Sequence, residues 1–183
     1  MARVNAADWD VEPLIGWTKD EANLFLGGSD YIRNMTEAGP TGALKEIATP
    51  AEIAEILPEL SSEGTPGEQF MAFVSHQVFA GMSRKLAATA VAGRAKALVY
   101  EFDWTSPLPG LGSCHCLDLR FMFGNLDSWG DAQMLAGASR ADLDAVADTM
   151  VASWGRFART GDPGFPAWTE TKRPIQHCNV ASA

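Results

Sequence analysis

The succession of elements along this chain of 183 residues predicts an α/β fold with two parallel strands, over about 12–16 and 97–104. Leu98, Tyr100, Phe102 and Trp104 alternate with Val99, Glu101 and Asp103, the period of two expected of a strand. Pro13-Leu14-Ile15-Gly16 is a short apolar run closed by glycine, as in a buried parallel strand that ends abruptly. Helical patterns fill the interval between them, and a crossover through helices returns a second strand parallel to the first.

After the first strand, Thr18 to Leu26 reads as a helical turn or two, with Thr18 as cap and Glu21 placed as in a capping box. Pro50 opens a helix that carries Ile53, Ile56 and Leu57 on one face and Glu52 and Glu55 on another. Ser61 to Pro66 is a loop. Gly67 to Ala92 is helical, with Phe70, Phe73, Val74 and Phe79 on its buried side and a break near Gly81. The second strand runs into a loop rich in Pro and Gly, Ser106 to Ser113, which leads to Cys114-His115-Cys116. The last helix covers about 141–158, with Leu143, Val146, Met150, Trp154 and Phe157 in one stripe. Ser139 and Asp142 fit a capping box at its start, while Gly161 and Pro163 stop it. The remainder, Phe165 to Ala183, reads as irregular with Trp168 as an anchor. Two strands do not make a stable sheet by themselves.

Composition narrows the function classes. The formal net charge is −9 and no Lys/Arg cluster is present, which argues against nucleic acid and an anionic membrane as partners. No stretch reaches the roughly 18 apolar residues that span a bilayer, and Met1 to Asp10 does not read as a signal peptide. The three cysteines are an odd number, with Cys114 and Cys116 too close to bridge readily, so a reducing, cytoplasmic setting is the default expectation. Cys114, His115 and Cys116 with His177 and Cys178 form a poor zinc set, because the first pair is C-x-C and the second lies far away in sequence. No metal and no cofactor are expected. His76 reads as a helix-surface histidine. Glu101 and Asp103 form a carboxylate pair that alternation places on one face, solvated or against a helix.

Two polar groups follow the strand ends, Glu21 after the first and His115 after the second. In open α/β sheets catalytic groups gather beyond the carboxyl ends of strands. A carboxylate there fixes an imidazole tautomer and stabilises the imidazolium formed when the far nitrogen takes a proton. A glutamate in a first helical turn is more often a cap or a dipole partner.

Longer strings carry a resemblance. Pro13-Leu14-Ile15-Gly16-Trp17-Thr18-Lys19-Asp20-Glu21-Ala22 is similar to the acid-residue motif of the type-B carboxylesterases, the cholinesterase and para-nitrobenzyl esterase family. Tyr100 to Trp104 and Gly112 to Asp127 (GSCHCLDLRFMFGNLD) resemble its histidine motif, and Trp154 to Pro163 (WGRFARTGDP) with Trp168 resembles its closing motif. The three occur in the family's order over essentially the whole chain. The resemblance implies the C-terminal part of an α/β-hydrolase fold and hydrolysis of small carboxylic esters by a Ser–His–Glu triad, with Glu21 as the acid and His115 as the general base.

The family's serine sits in a G-x-S-x-G elbow, and no such motif occurs in these 183 residues. Gly137-Ala138-Ser139-Arg140-Ala141 is its nearest imitation, downstream of both partners. No His-Gly-Gly run supplies oxyanion amides either. The resemblance therefore implies that residues 1–183 form a single C-terminal segment whose elbow and oxyanion hole are absent, so that it needs a complementing N-terminal part to act. The alternatives are a catalytically silent remnant or a truncated binding module; a new nucleophile at Ser139 or a cysteine is the weakest reading. Trp17, Cys116 and Arg120 depart from the family's usual residues, the first two adding bulk expected near the catalytic pair.

A segment that presents an unpaired strand edge and helix faces shaped for a larger sheet is expected to self-associate when isolated. Sedimentation of the purified chain checks this, and a monodisperse monomer with cooperative unfolding overturns it.

Overall fold

In the computed structural model, which describes residues 11–36, 39–60 and 63–180, three parallel strands form one sheet. β1 (Leu14–Thr18) pairs with β2 (Leu98–Phe102) in the register Leu14↔Leu98 to Thr18↔Phe102. β2 in turn pairs with β3 (Gln176–Cys178), so β2 is central. The two strands expected from sequence are thus joined by a third, inside the stretch read as irregular. Three residues are too few to show a period, and β3 exists because β2 offers it a row of backbone donors and acceptors. The reading of Met1 to Asp10 lies outside the described residues, as do Ser61 and Ser62 of the expected loop.

β1 also runs past the glycine expected to close it. Gly16 serves close packing: a Cβ built there comes within 2.2 Å of Cε1 of Tyr100. The Tyr100 ring thus lies against bare backbone, which only glycine permits.

The eight α-helices of the described residues surround the sheet. α1 (Asn23–Leu26), α2 (Asp30–Arg33), α3 (Gly39–Ile47) and α4 (Pro50–Ile56) precede α5 (Pro66–Ser75). A π-helical turn, His76–Ala80, joins α5 to α6 (Gly81–Ala92), where sequence suggested a break. α7 (Leu119–Met122) and α8 (Arg140–Thr160) follow β2. Thr49 and Thr65 each make a full capping box, with Glu52 and Glu68, at the starts of α4 and α5. α8 ends at Gly161 in the left-handed conformation, as its sequence signals require. Ser139 is its N-cap but makes no side-chain cap bond, so the expected box with Asp142 is not formed. None of the described helices is long and apolar enough to cross a membrane.

The alternation in β2 divides the core. Tyr100, Phe102 and Trp104 pack on Leu117, Phe121, Leu143, Val146 and Met150 of the α7–α8 layer. Val99 and Ala97 face the other way, onto Trp17, Ala87, Ala90 and Trp168. Trp168 is the anchor expected: its N–H donates to the Ala97 carbonyl at 2.8 Å. A third cluster, around Ile32, Ile56, Phe70 and Phe73, holds α2, α4 and α5 together.

Gly16→Ala should push the Tyr100 ring off β1 and destabilise the chain by about 1–3 kcal/mol, the usual effect of overpacking. Denaturant unfolding of the two proteins measures it.

Candidate active site

Parallel pairing of β1 and β2 puts the loops that follow them at the same end of the sheet. The backbone then locks them together. Lys19 N donates to the Phe102 carbonyl at 2.9 Å and Asp20 N to the Ser113 carbonyl at 3.0 Å. Ser113 N answers with a 2.8 Å bond to Oδ2 of Asp20, and the Ser113 hydroxyl donates to the Trp104 carbonyl at 2.7 Å. Gly112, at φ +58°, lies against the same Asp20 carboxylate, where a Cβ would come within 2.3 Å of Oδ2. Here glycine is needed both for the left-handed backbone and for the close approach.

Glu21 and His115 meet across this junction. Oε2 of Glu21 lies 2.5 Å from Nδ1 of His115, while Oε1 accepts from Thr18 N at 2.9 Å. The second bond is half of the capping box read from sequence, but the Thr18 hydroxyl is buried without a partner among the described residues and α1 starts only at Asn23. Both carboxylate oxygens are thus held, and Glu21 is buried with a side chain only 6% exposed. Ala22 N donates to the hydroxyl of Ser75 at 2.9 Å, which ties the acid loop to the end of α5.

His115 is one-third exposed, and its Nε2 makes no hydrogen bond to a described residue. Phe25 and Phe79 flank the ring at centroid distances of 4.9 and 5.6 Å. Phe79 comes from the π-helical turn, and such turns recur at functional sites because they re-aim one side chain without ending the helix. With Nδ1 engaged by a buried carboxylate and Nε2 free, the imidazole is arranged to take a proton on its open side.

Behind the pair, Tyr100 donates its hydroxyl to Oδ2 of Asp118 at 3.1 Å. Burial raises the Asp118 pKa, the Tyr100 hydroxyl opposes the shift, and the charge of Glu21 raises it further. Burial likewise drives the Tyr100 hydroxyl far above its ordinary range. Arg120 is almost wholly buried, its guanidinium 4.3 Å from the centre of the Trp129 ring, with Nε and Nη1 unbonded among the described residues.

The other residues singled out in the sequence fall elsewhere. Cys116 is exposed with φ +62°, a left-handed backbone at a position where the related motif has Gly or Ala. Trp17 is buried on the α6 face of the sheet and donates Nε1–H to Oε2 of Glu101 at 2.8 Å. Cys114 and Cys178 are buried in the α7–α8 core, and burial lifts the Cys178 thiol to about 12. Among the described residues these cysteines form no metal-ligand group with His115 or His177. His76 opens the π turn and pairs with Glu59 at 2.9 Å. Asp20, Ser75 and Phe25 escaped the sequence reading, and Phe79 was read only as a buried helix residue: their neighbours in space give them a role, although Asp20 does stand inside the acid motif.

No family model matches the chain. It is 33% identical over 166 residues to the para-nitrobenzyl esterase of Bacillus subtilis (strain 168), covering 87% of this chain and 32% of that protein. It is 29% identical over 171 residues to the phenmedipham hydrolase of Pseudarthrobacter oxydans, covering 88% and 34%. The structure superposes on the carboxylesterase EST55 of Geobacillus stearothermophilus with a TM-score of 0.74 and 26% identity, over 91% of this chain and 36% of that one. The chain therefore spans about a third of the length of the relatives it matches.

A carboxyl group with a raised pKa supports the fold fully at acid pH, and that contribution is lost as pH rises through the raised value. Asp118→Asn, which keeps an acceptor for Tyr100, should therefore gain stability over the parent above the ordinary carboxylate range of about pH 4. Unfolding measured from acid to neutral pH checks this.

Proposed function

We infer that the chain belongs to the type-B carboxylesterase family of α/β hydrolases and supplies the acid and base of a Ser–His–Glu triad for ester hydrolysis. The carrying observation is the 2.5 Å contact between Oε2 of Glu21 and Nδ1 of His115, with Nε2 left free. In this reading Nε2 takes the proton of a serine hydroxyl as the oxygen attacks the ester carbonyl. Glu21 stabilises the imidazolium, which then protonates the departing alkoxide. Water then attacks the acyl group as His115 takes its proton, and the imidazolium returns that proton to the serine oxygen as the acyl–serine bond breaks and the carboxylic acid leaves.

The serine and the oxyanion amides come from a segment outside these 183 residues, joined in cis or supplied in trans. Two features favour such a partner. Among the described residues β1 pairs only with β2, so its outer edge is open to another strand. Val78, Met82 and Leu86 form an exposed apolar stripe along the π turn and α6. The same surfaces account for the self-association expected of the isolated chain. The substrate is a small carboxylic ester, the class that the name of the Bacillus relative carries.

The purified chain alone should neither turn over a short-chain nitrophenyl ester nor be labelled by a serine-directed phosphonate; a burst with labelling overturns the proposal. Grafted in place of the matching third of the Bacillus enzyme, it should restore hydrolysis. There Glu21→Gln should lower kcat by about 10³–10⁴-fold, as loss of the orienting acid does in triads. Full activity after that substitution would remove Glu21 from the mechanism.

A further inference from the structure

The pairing of β2 with β3 sets His177 directly beside Glu101, at Tyr100↔Gln176, Glu101↔His177 and Phe102↔Cys178. Glu101 and Asp103, two apart, project to the same face of the sheet. Nδ1 of His177 lies 3.1 Å from Oδ2 of Asp103 and 3.6 Å from Oε1 of Glu101, and all three donor atoms fall within 4.8 Å of one another. We propose that Glu101, Asp103 and His177 form a binding site for a divalent transition cation, zinc above all, on the sheet face away from Tyr100 and Asp118.

Spacing, donor chemistry and charge each support it. Metal–ligand distances of about 2.1 Å in a tetrahedral zinc site place donor atoms about 3.4 Å apart. The two contacts of His177 already lie near that value, and the Glu101 and Asp103 oxygens lie within 4.8 Å of each other. One imidazole nitrogen with two carboxylates is a donor set for zinc, nickel or manganese, whereas calcium and magnesium prefer all-oxygen surroundings. The side chains of Glu101 and Asp103 are only 19% and 20% exposed, and their ion-pair contacts among the described residues are both to His177. Two largely buried carboxylates side by side repel each other, and a divalent ion relieves that repulsion better than one imidazolium does.

The surroundings are ordered as around a ligand set. Trp17 holds Oε2 of Glu101 by a 2.8 Å bond, which turns Oε1 toward His177. Oδ1 of Asp103 is buried and has no hydrogen-bond partner among the described residues. His177 is more than half exposed, so the ion has a way in and water can complete the coordination. The site makes no use of His115 or Glu21, and it is independent of the ester-hydrolysis reading.

The test uses the full chain, stripped by chelation and titrated with Zn²⁺ by calorimetry and with Co²⁺ by visible absorption. One ion per chain is expected, with the d–d bands of tetrahedral cobalt and no matching response to Mg²⁺. His177→Gln and Asp103→Asn should each lower zinc affinity at least a hundredfold, and Trp17→Phe about ten- to a hundredfold, as losses of orienting partners do. His177 is exposed enough that its variant should keep the parent's circular dichroism. Absence of binding overturns the proposal. So does binding that survives His177→Gln and Asp103→Asn but is lost in Cys116→Ser, which would move the ion to the cysteine loop.

Discussion

Everything at the candidate site depends on the parallel ladder between β1 and β2. Antiparallel strands in these positions would send the Glu21 loop and the His115 loop to opposite ends of the sheet. In parallel register, Thr18 sits beside Phe102, and the next residues of both strands leave at one edge. The loops are then only a few residues from fixed anchor points. Asp20 and Ser113 stitch them together by reciprocal bonds, so the orientation of the acid toward the imidazole is set by backbone rather than by flexible side chains.

The same sheet keeps two sets of charged groups apart. On one face, Tyr100 reaches Asp118 near the histidine loop, and both lie in apolar surroundings that disfavour ionisation. On the other, Trp17, Glu101, Asp103 and His177 form a polar seam across three strands. The period of two in β2 makes this division, since neighbouring residues cannot share a face. One five-residue strand and the residue that follows it therefore carry a packing role, a hydrogen bond behind the histidine loop and two carboxylates.

Much of this architecture was legible in the chain. Alternation marked β2, and the stripe from Leu143 to Phe157 marked α8, because both patterns are long enough to reveal their period. Pro50 placed the start of α4, and Gly161 placed the end of α8. Glu21 and His115 were named from their motifs and from their place after the strands, and the structure brings them into contact. Other features left no local trace. β3 is three residues long and owes its existence to the edge of β2. The π turn replaces a break suggested by Gly81, because its irregular hydrogen bonding is set by the packing of Phe79 and Ala80 rather than by any one residue.

Local order and chemical type are properties of short stretches, and the sequence by itself determined much of them: which of the longer periodic segments are helix or strand, which residues can take or give a proton, and the absence of a G-x-S-x-G serine from these 183 residues. Coincidence in space needed the tertiary structure. That Oε2 of Glu21 faces Nδ1 of His115, that Phe79 lines the ring, and that His177 stands beside Glu101 and Asp103 all result from strands pairing across large sequence separations. Hydrogen-bonded ladders and close packing fix such contacts, and neither is encoded in any window of neighbouring residues.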